Sequence, residues 1–169
     1  MSIAALFAWL LTASGGLVLL MIWIIEYDSE FQSAAATRLP VPVISAHATL
    51  ALGGLLLWFG YILADQDRLA WISVAVLGVV AVLGLVMAVR WLGVYRTHPK
   101  PGRSMVTRKT VPPERNFPVP LVIAHGLLGV TTIALVLLTT LGKSLSRHGR
   151  RDGASGWAPL YSARLIIFE

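Results

Sequence analysis

Four apolar stretches, each long enough to cross a lipid bilayer, constrain this chain more than any other feature of its sequence. They run from about 3 to 25, 40 to 63, 69 to 91 and 118 to 141. A membrane-spanning helix needs about 20 predominantly apolar residues, and the only charged side chain in these stretches is Arg90, near the end of the third. The sequence therefore predicts an all-α fold, an integral membrane four-helix bundle.

The composition agrees with a membrane protein and excludes several other classes. Of the 169 residues, 56% are hydrophobic and 13% are charged, whereas a soluble domain carries about 25% charged residues. The absence of cysteine excludes disulfides, iron–sulfur clusters and Cys-ligated metals. No nucleotide-binding or hydrolase motif is present, so we expect no catalytic residues and, at most, a role in electron transfer.

The basic residues lie in the loops and the tail, as is typical of membrane proteins. We therefore interpret the net charge of +6 as that of a lipid-embedded chain, and we expect no nucleic-acid partner. Eight Lys and Arg residues lie on the side of the long loop 92–117 and six on the other side. This excess predicts that the long loop is on the cytoplasmic side of the cell membrane and that both termini are outside.

A tight turn at 64–68 joins the second and third spans. We predict one transmembrane domain over 1–141 and a basic, flexible tail over 142–169.

The two halves of the chain share a pattern that indicates an internal repeat. Residues 40–47 match residues 118–125 at an offset of 78, including both prolines and the histidine. The first and third spans match at an offset of 68, through Gly-Leu-Val, Trp and Tyr at matching positions. We therefore predict two duplicated transmembrane hairpins related by a pseudo-twofold axis along the membrane normal, as in parallel membrane repeats.

His47 and His125 are the only ionisable groups well inside the spans, and such groups are functional candidates because their burial is costly. Each lies seven residues after a proline, Pro40 or Pro118, that begins its helix, which places both imidazoles about 10 Å into their helices. Two imidazoles at one depth suit the axial ligands of a single haem b, with both histidines bound to the iron. The alternatives are neutral imidazoles that hydrogen-bond across helices, or a metal, pigment or proton-relay site.

Small residues near each histidine predict a slot for the macrocycle between diagonal second and fourth helices. Zinc or copper is disfavoured because no Cys, Asp or Glu lies at the same depth to complete its coordination. The predicted cofactor-binding residues, besides the two histidines, are Ala51, Gly54, Gly126 and Gly129. The basic residues that are candidates for pairing with haem propionates are Arg38, Arg90, Lys109 and Arg115.

This layout resembles the membrane cytochromes b, in which parallel second and fourth helices supply opposed histidines. The resemblance implies a haem-binding bundle, although many of those cytochromes carry two histidines per ligating helix and this chain carries one. Residues 1–141 are also similar to small four-span membrane proteins of unassigned function from actinobacteria, which share Pro-Val-Pro followed by Ala-His. The predicted function is an electron-transfer subunit working with another redox protein or a quinone. A non-enzymatic membrane protein that scaffolds or regulates a partner complex, and less readily a small transporter, remain alternatives.

Overall fold

The computed structural model describes residues 1–27, 37–97 and 112–155, and within these ranges the chain is helical apart from its connections. The helices are α1 (Ser2–Glu26), α2 (Val41–Ala64), α3 (Asp67–Thr97) and α4 (Val119–Ser155), and a 3-10 turn, Pro113–Asn116, precedes α4. All four α-helices are long and apolar enough to cross a membrane. The predicted all-α architecture with four candidate spans is confirmed.

Two helices begin immediately after a proline, as the sequence indicates. Pro40 precedes α2 and accepts the first helical hydrogen bonds from the N–H groups of Val43 and Ile44. Pro118 does the same for α4. Proline at this position sacrifices no intrahelical hydrogen bond, because the first N–H groups of a helix have no partner within it.

The connection between α2 and α3 is a tight turn. Asp65 ends α2 in the left-handed region with φ of 51°, a conformation that Asp and Asn tolerate better than most residues. Only Gln66 separates it from α3. The short connection makes α2 and α3 antiparallel neighbours, as predicted.

α3 and α4 extend beyond the apolar stretches from which they were predicted. α3 continues past Trp91 to Thr97, and α4 continues past Leu141 to Ser155. The extension of α4 covers the first part of the segment that the sequence analysis assigns to a flexible tail, and residues 156–169 lie outside the described residues. Hydropathy marks where a helix leaves apolar surroundings, but a helix ends only where its backbone hydrogen bonding stops.

The four helices alternate in direction and form a bundle. α2 packs most extensively on α3, and α1 on α4, with smaller contacts between α1 and α2 and between α3 and α4. α2 and α4 therefore lie diagonally across the bundle, which is the arrangement the haem slot requires.

The packing inside the bundle combines aromatic and small polar side chains. Trp58 and Val136 are fully buried and Trp9 is nearly so. The indole N–H of Trp58 donates to the carbonyl oxygen of Ser2 at 3.2 Å. Buried hydroxyl groups bond to the carbonyl four residues earlier in their own helices. These hydroxyls belong to Ser73, Thr132 and Thr140.

The outer surface of the bundle is apolar. Large hydrophobic side chains such as Phe7, Leu52 and Val130 are each about 60% exposed, and similar residues occur on all four helices. A water-soluble protein rarely exposes a continuous apolar surface of this extent. This surface suits the hydrocarbon of a lipid bilayer and suggests a multi-pass membrane protein.

Ion pairs tie α4 to the α2–α3 turn at one end of the bundle. Lys143 pairs with Asp65 and Arg147 with Asp67, and Lys143 also lies 3.4 Å from Asp67. The hydrogen bond and positive charge of Lys143 hold the pKa of the Asp65 carboxyl below its ordinary value. These contacts give α4 partners beyond the apolar stretch, which helps to explain why the helix continues there.

The 3-10 turn closes the opposite end of the bundle. The Glu114 side chain is fully buried, and its Oε1 accepts a hydrogen bond of 2.6 Å from the backbone N–H of Arg38. The hydroxyl of Thr37 donates to the other carboxylate oxygen at 3.3 Å. The guanidinium of Arg115 lies 4.6 Å from the ring centroid of Tyr95. The two hydrogen bonds accepted by Glu114 thus hold Thr37 and Arg38, which precede α2, in place.

Replacing Trp58 with alanine is expected to destabilise the bundle far more than replacing Trp71. Trp58 is fully buried, whereas Trp71 on α3 is 45% exposed. The buried substitution leaves a cavity and removes a hydrogen bond, at a cost of about 3–5 kcal/mol. Thermal unfolding in detergent measures the difference, with W71A as the matched control. Equal melting temperatures for W58A and W71A would contradict the described core.

The contribution of the Asp65 ion pair is expected to disappear at low pH. Because the folded-state pKa of Asp65 is lowered, its stabilisation is fully present above the ordinary carboxyl pKa and is lost as pH falls through the folded value. Asp65→Asn keeps a residue that tolerates the left-handed backbone. The melting temperature of the wild type should exceed that of D65N at neutral pH and converge with it as the pH falls through the lowered pKa of the Asp65 carboxyl. A constant difference across the titration is the contrary result.

Candidate functional site

The rings of His47 and His125 face each other inside the bundle. Their centroids lie 6.4 Å apart and their planes are inclined at 67°. One ring comes from α2 and the other from α4, the diagonal pair of helices. The structure therefore brings together the two histidines that the sequence analysis singled out, and both are partly buried.

Each histidine is held by a main-chain carbonyl of the neighbouring helix. Nδ1 of His47 lies 3.0 Å from the carbonyl oxygen of Val80 on α3. Nδ1 of His125 lies 3.0 Å from the carbonyl oxygen of Thr12 on α1. Since a carbonyl oxygen only accepts, each Nδ1 carries the hydrogen, and in a neutral imidazole Nε2 then keeps its lone pair. No protein partner of either Nε2 is present within the described ranges.

Two glycines allow the imidazoles to reach these carbonyls. Gly84 lies four residues after Val80, and Gly16 four residues after Thr12. A side chain on an α-helix leans toward the N-terminus and covers the preceding turn. A Cβ atom on Gly16 would lie 2.9 Å from Cε1 of His125, and one on Gly84 would lie 3.1 Å from Cε1 of His47. Glycine at both positions therefore leaves room for the rings.

Ala51 and Gly54 lie on the histidine face of α2, but Gly54 borders no open slot. A Cβ on Gly54 would meet the indole of Trp9 at 3.0 Å and the side chain of Val76 at 3.1 Å. The space beside it is thus filled by core side chains. Ala51, one turn from His47, is partly buried.

The two glycines of α4 occupy different faces. Gly126 is exposed, and a Cβ there would meet nothing within 4 Å, because adjacent helical residues point in directions about 100° apart. Gly126 therefore faces outward and lies away from the rings. Gly129, one turn from His125, lies beside Thr12, whose Cγ2 is 3.9 Å from a Cβ built at that glycine.

The four residues predicted to pair with haem propionates differ in their surroundings. Arg115 is buried against Tyr95. Arg38 and Arg90 lie together at the N-terminal end of α2, where an Nη of Arg90 donates to the carbonyl oxygen of Arg38 at 3.1 Å. Lys109 lies outside the described residues.

A metal ion bound through protein side chains alone would lack ligands at this site. No group of three or more His, Cys, Asp or Glu residues suited to a metal occurs in the part of the chain that the structure describes. Structural zinc takes four ligands, and other transition metals also need more than two. A porphyrin supplies four nitrogens of its own, so its iron needs only the two axial imidazoles.

The sequence analysis identified the histidines but assigned no role to the backbone that holds them. Thr12 and Val80 were missed because their contribution is a carbonyl oxygen, which every residue possesses. Gly16 and Gly84 begin the matched Gly-Leu-Val segments, which the sequence analysis used only as evidence of an internal repeat. Their matching positions in the repeat, 68 residues apart, were the signal that could have found them.

Comparison with protein-family models, with curated proteins and with solved structures found no match for this chain.

Gly16→Ala is expected to disturb the site, whereas its neighbour Gly15→Ala is expected to be tolerated. A Cβ at position 15 would lie 3.7 Å from His125, an ordinary contact, but one at position 16 would lie 2.9 Å away. Both changes gain similar helix propensity, and overpacking at position 16 costs about 1–3 kcal/mol. Thermal unfolding should show a lower melting temperature for G16A than for G15A. If the two variants melt together, His125 does not pack against Gly16 as described.

Proposed function

We propose that this chain is an integral membrane electron-transfer subunit that holds one haem b between His47 and His125. The observation that carries the proposal is the facing ring pair, each member anchored through Nδ1 to a backbone carbonyl. When bound, the haem iron would supply a centre that accepts and releases one electron. The electron partner would be another redox protein or a quinone.

The separation of the rings supports this proposal. A metal–imidazole bond is about 2.0–2.1 Å long, so His47 and His125 would have to lie close together to hold one iron. The centroids of His47 and His125 are 6.4 Å apart. A histidine that ligates a metal almost always donates its other N–H to a carbonyl or carboxylate, and both histidines do so here.

The protein's own residues would determine how these ligands are presented. The carbonyls of Thr12 and Val80 fix the tautomer and the rotation of each imidazole. Gly16 and Gly84 allow the two rings to lie against α1 and α3. The buried indole of Trp9 packs on the α2 side of the bundle interior and helps to exclude water. Hydrogen bonds to the two imidazoles are stronger in a low-polarity environment of this kind.

The proposal includes an internal duplication of two hairpins. His125 follows His47 by 78 residues, while Val80 follows Thr12 and Gly84 follows Gly16 by 68. The histidine donors and the carbonyl acceptors of the two hydrogen bonds are thus separated by the same offsets as the sequence repeat. The stacked Trp23–Tyr27 pair on α1 and the Trp91–Tyr95 pair on α3 add further support at an offset of 68.

Membrane insertion and orientation form part of the same proposal. The apolar exterior supports insertion of all four helices. The Lys and Arg excess around the long loop supports a cytoplasmic position for the ends where α1 and α3 finish. On this assignment, the Asp65 turn lies on the outer side of the membrane.

A non-enzymatic scaffold remains the second candidate function, and one observation favours it. The two Nδ1 hydrogen bonds join α2 to α3 and α4 to α1, so they stabilise the bundle whether or not iron is present. Interhelical hydrogen bonds of this kind contribute about 1–2 kcal/mol or less. In this case the histidines would be structural and the protein would present its surface to a partner complex.

Haem binding is tested by visible absorption of the protein purified from cells supplied with ample haem. We expect a Soret band, with the sharpened bands of a reduced low-spin haem after dithionite. His47→Ala and His125→Ala should each abolish the pigment because one axial ligand is lost, while His98→Ala, outside the spans, should retain it. A colourless wild type under these conditions refutes the haem proposal and leaves the scaffold candidate.

A further inference from the structure

A pocket with both polar and apolar lining residues, the latter including Pro40, Val41 and Pro42, lies at the end of the bundle where α2 begins. It has a volume of about 450 Å³ and is bordered by Tyr27 at the end of α1, by Thr37 and Arg38 before α2, and by Arg90 on α3. This volume falls within the range of about 300–1,000 Å³ that is typical of small-ligand sites. The pocket is open to the outside and is separate from the histidine pair.

Among its described lining residues, the pocket has two cationic side chains, Arg38 and Arg90, and no carboxylate. In the described ranges, no carboxylate forms an ion pair with the guanidinium of Arg38 or of Arg90. The Glu114 carboxylate accepts hydrogen bonds from the backbone N–H of Arg38 and from Thr37, and within the described residues it forms no ion pair with either guanidinium. The hydrogen bond from Arg90 to the Arg38 carbonyl joins the two residues without using the Arg38 side chain.

An exposed apolar strip on α3 leads directly to this pocket. Val79, Val82 and Val86 are 51%, 62% and 40% exposed, and they precede Arg90 at intervals that keep all four residues on one helical face. The strip from position 79 to position 90 is about 16 Å long. That length is about half of a 30 Å hydrocarbon core, which corresponds to one leaflet.

We infer that this pocket binds the phosphate of an anionic phospholipid, with an acyl chain lying along Val79, Val82 and Val86. Guanidinium groups bind phosphate oxygens through paired, charge-assisted hydrogen bonds. Arg38 and Arg90 provide two such groups in the pocket, at the end of the apolar strip. The valine strip distinguishes a lipid from a free phosphate ion, because only a lipid has an acyl chain to cover it.

The binding is tested by thermal unfolding of the full-length protein in neutral detergent with added phosphatidylglycerol, phosphatidylcholine or inorganic phosphate. Phosphatidylglycerol should raise the melting temperature, since a ligand of the folded state stabilises it, and the other two should raise it little. The double variant R38Q/R90Q should bind phosphatidylglycerol at least tenfold more weakly. R96Q, which removes an exposed charge from the same end of α3, should bind it like the wild type.

A further variant distinguishes a loss of lipid binding from a folding defect. R38Q alone preserves the Arg90 hydrogen bond, because that bond uses the Arg38 backbone, and it should also weaken the phosphatidylglycerol effect. The inference is overturned if R96Q and R38Q/R90Q behave alike, or if phosphatidylcholine or inorganic phosphate stabilises as well as phosphatidylglycerol. It is also overturned if R38Q/R90Q loses a haem pigment but keeps lipid binding, which would assign the arginines to propionates. If the wild type binds no haem, the lipid measurement still tests this inference, because lipid binding does not require haem.

Discussion

The centre of the bundle depends on two hydrogen bonds from imidazole N–H groups to main-chain carbonyls. The bonds from His47 to Val80 and from His125 to Thr12 connect each helix that carries a histidine to its most extensive packing partner. They satisfy one polar atom of each ring where water is scarce, and they direct the remaining nitrogen. A carbonyl already bonded within its helix has a second lone pair for this purpose, so the bundle gains these contacts without breaking a helical hydrogen bond.

The four helices were predictable because long apolar stretches have few alternative structures in a lipid environment. The α2–α3 turn was also predictable, since the polar segment between those spans is too short for any other connection. The far ends of α3 and α4 were not, because contacts such as Arg115 over Tyr95 and the Lys143–Asp65 ion pair depend on which elements lie beside one another. Hydropathy alone contains no information about these neighbours.

The candidate site was predictable at the level of its histidines but not of its surroundings. His47 and His125 were identified because ionisable residues are rare in apolar helices. The backbone acceptors left no mark in the sequence, and the positions of small residues were assigned without knowledge of helix rotation. Gly126, next to His125 in sequence, consequently lies on the outer face, while Gly54 is covered by Trp9. The residues that do accommodate the rings, Gly16 and Gly84, come from the partner helices.

The pairing of α1 with α4 has a consequence for how the protein is made. Thr12 and His125 are 113 positions apart in the chain, so the first helix leaves the ribosome long before its main partner has been synthesised. α2 and α3, joined by their tight turn, can associate at once, but α1 lacks its main partner until the last helix has been synthesised. The opposed histidines therefore come together only in the final step of assembly, and a chain truncated before α4 never forms the site.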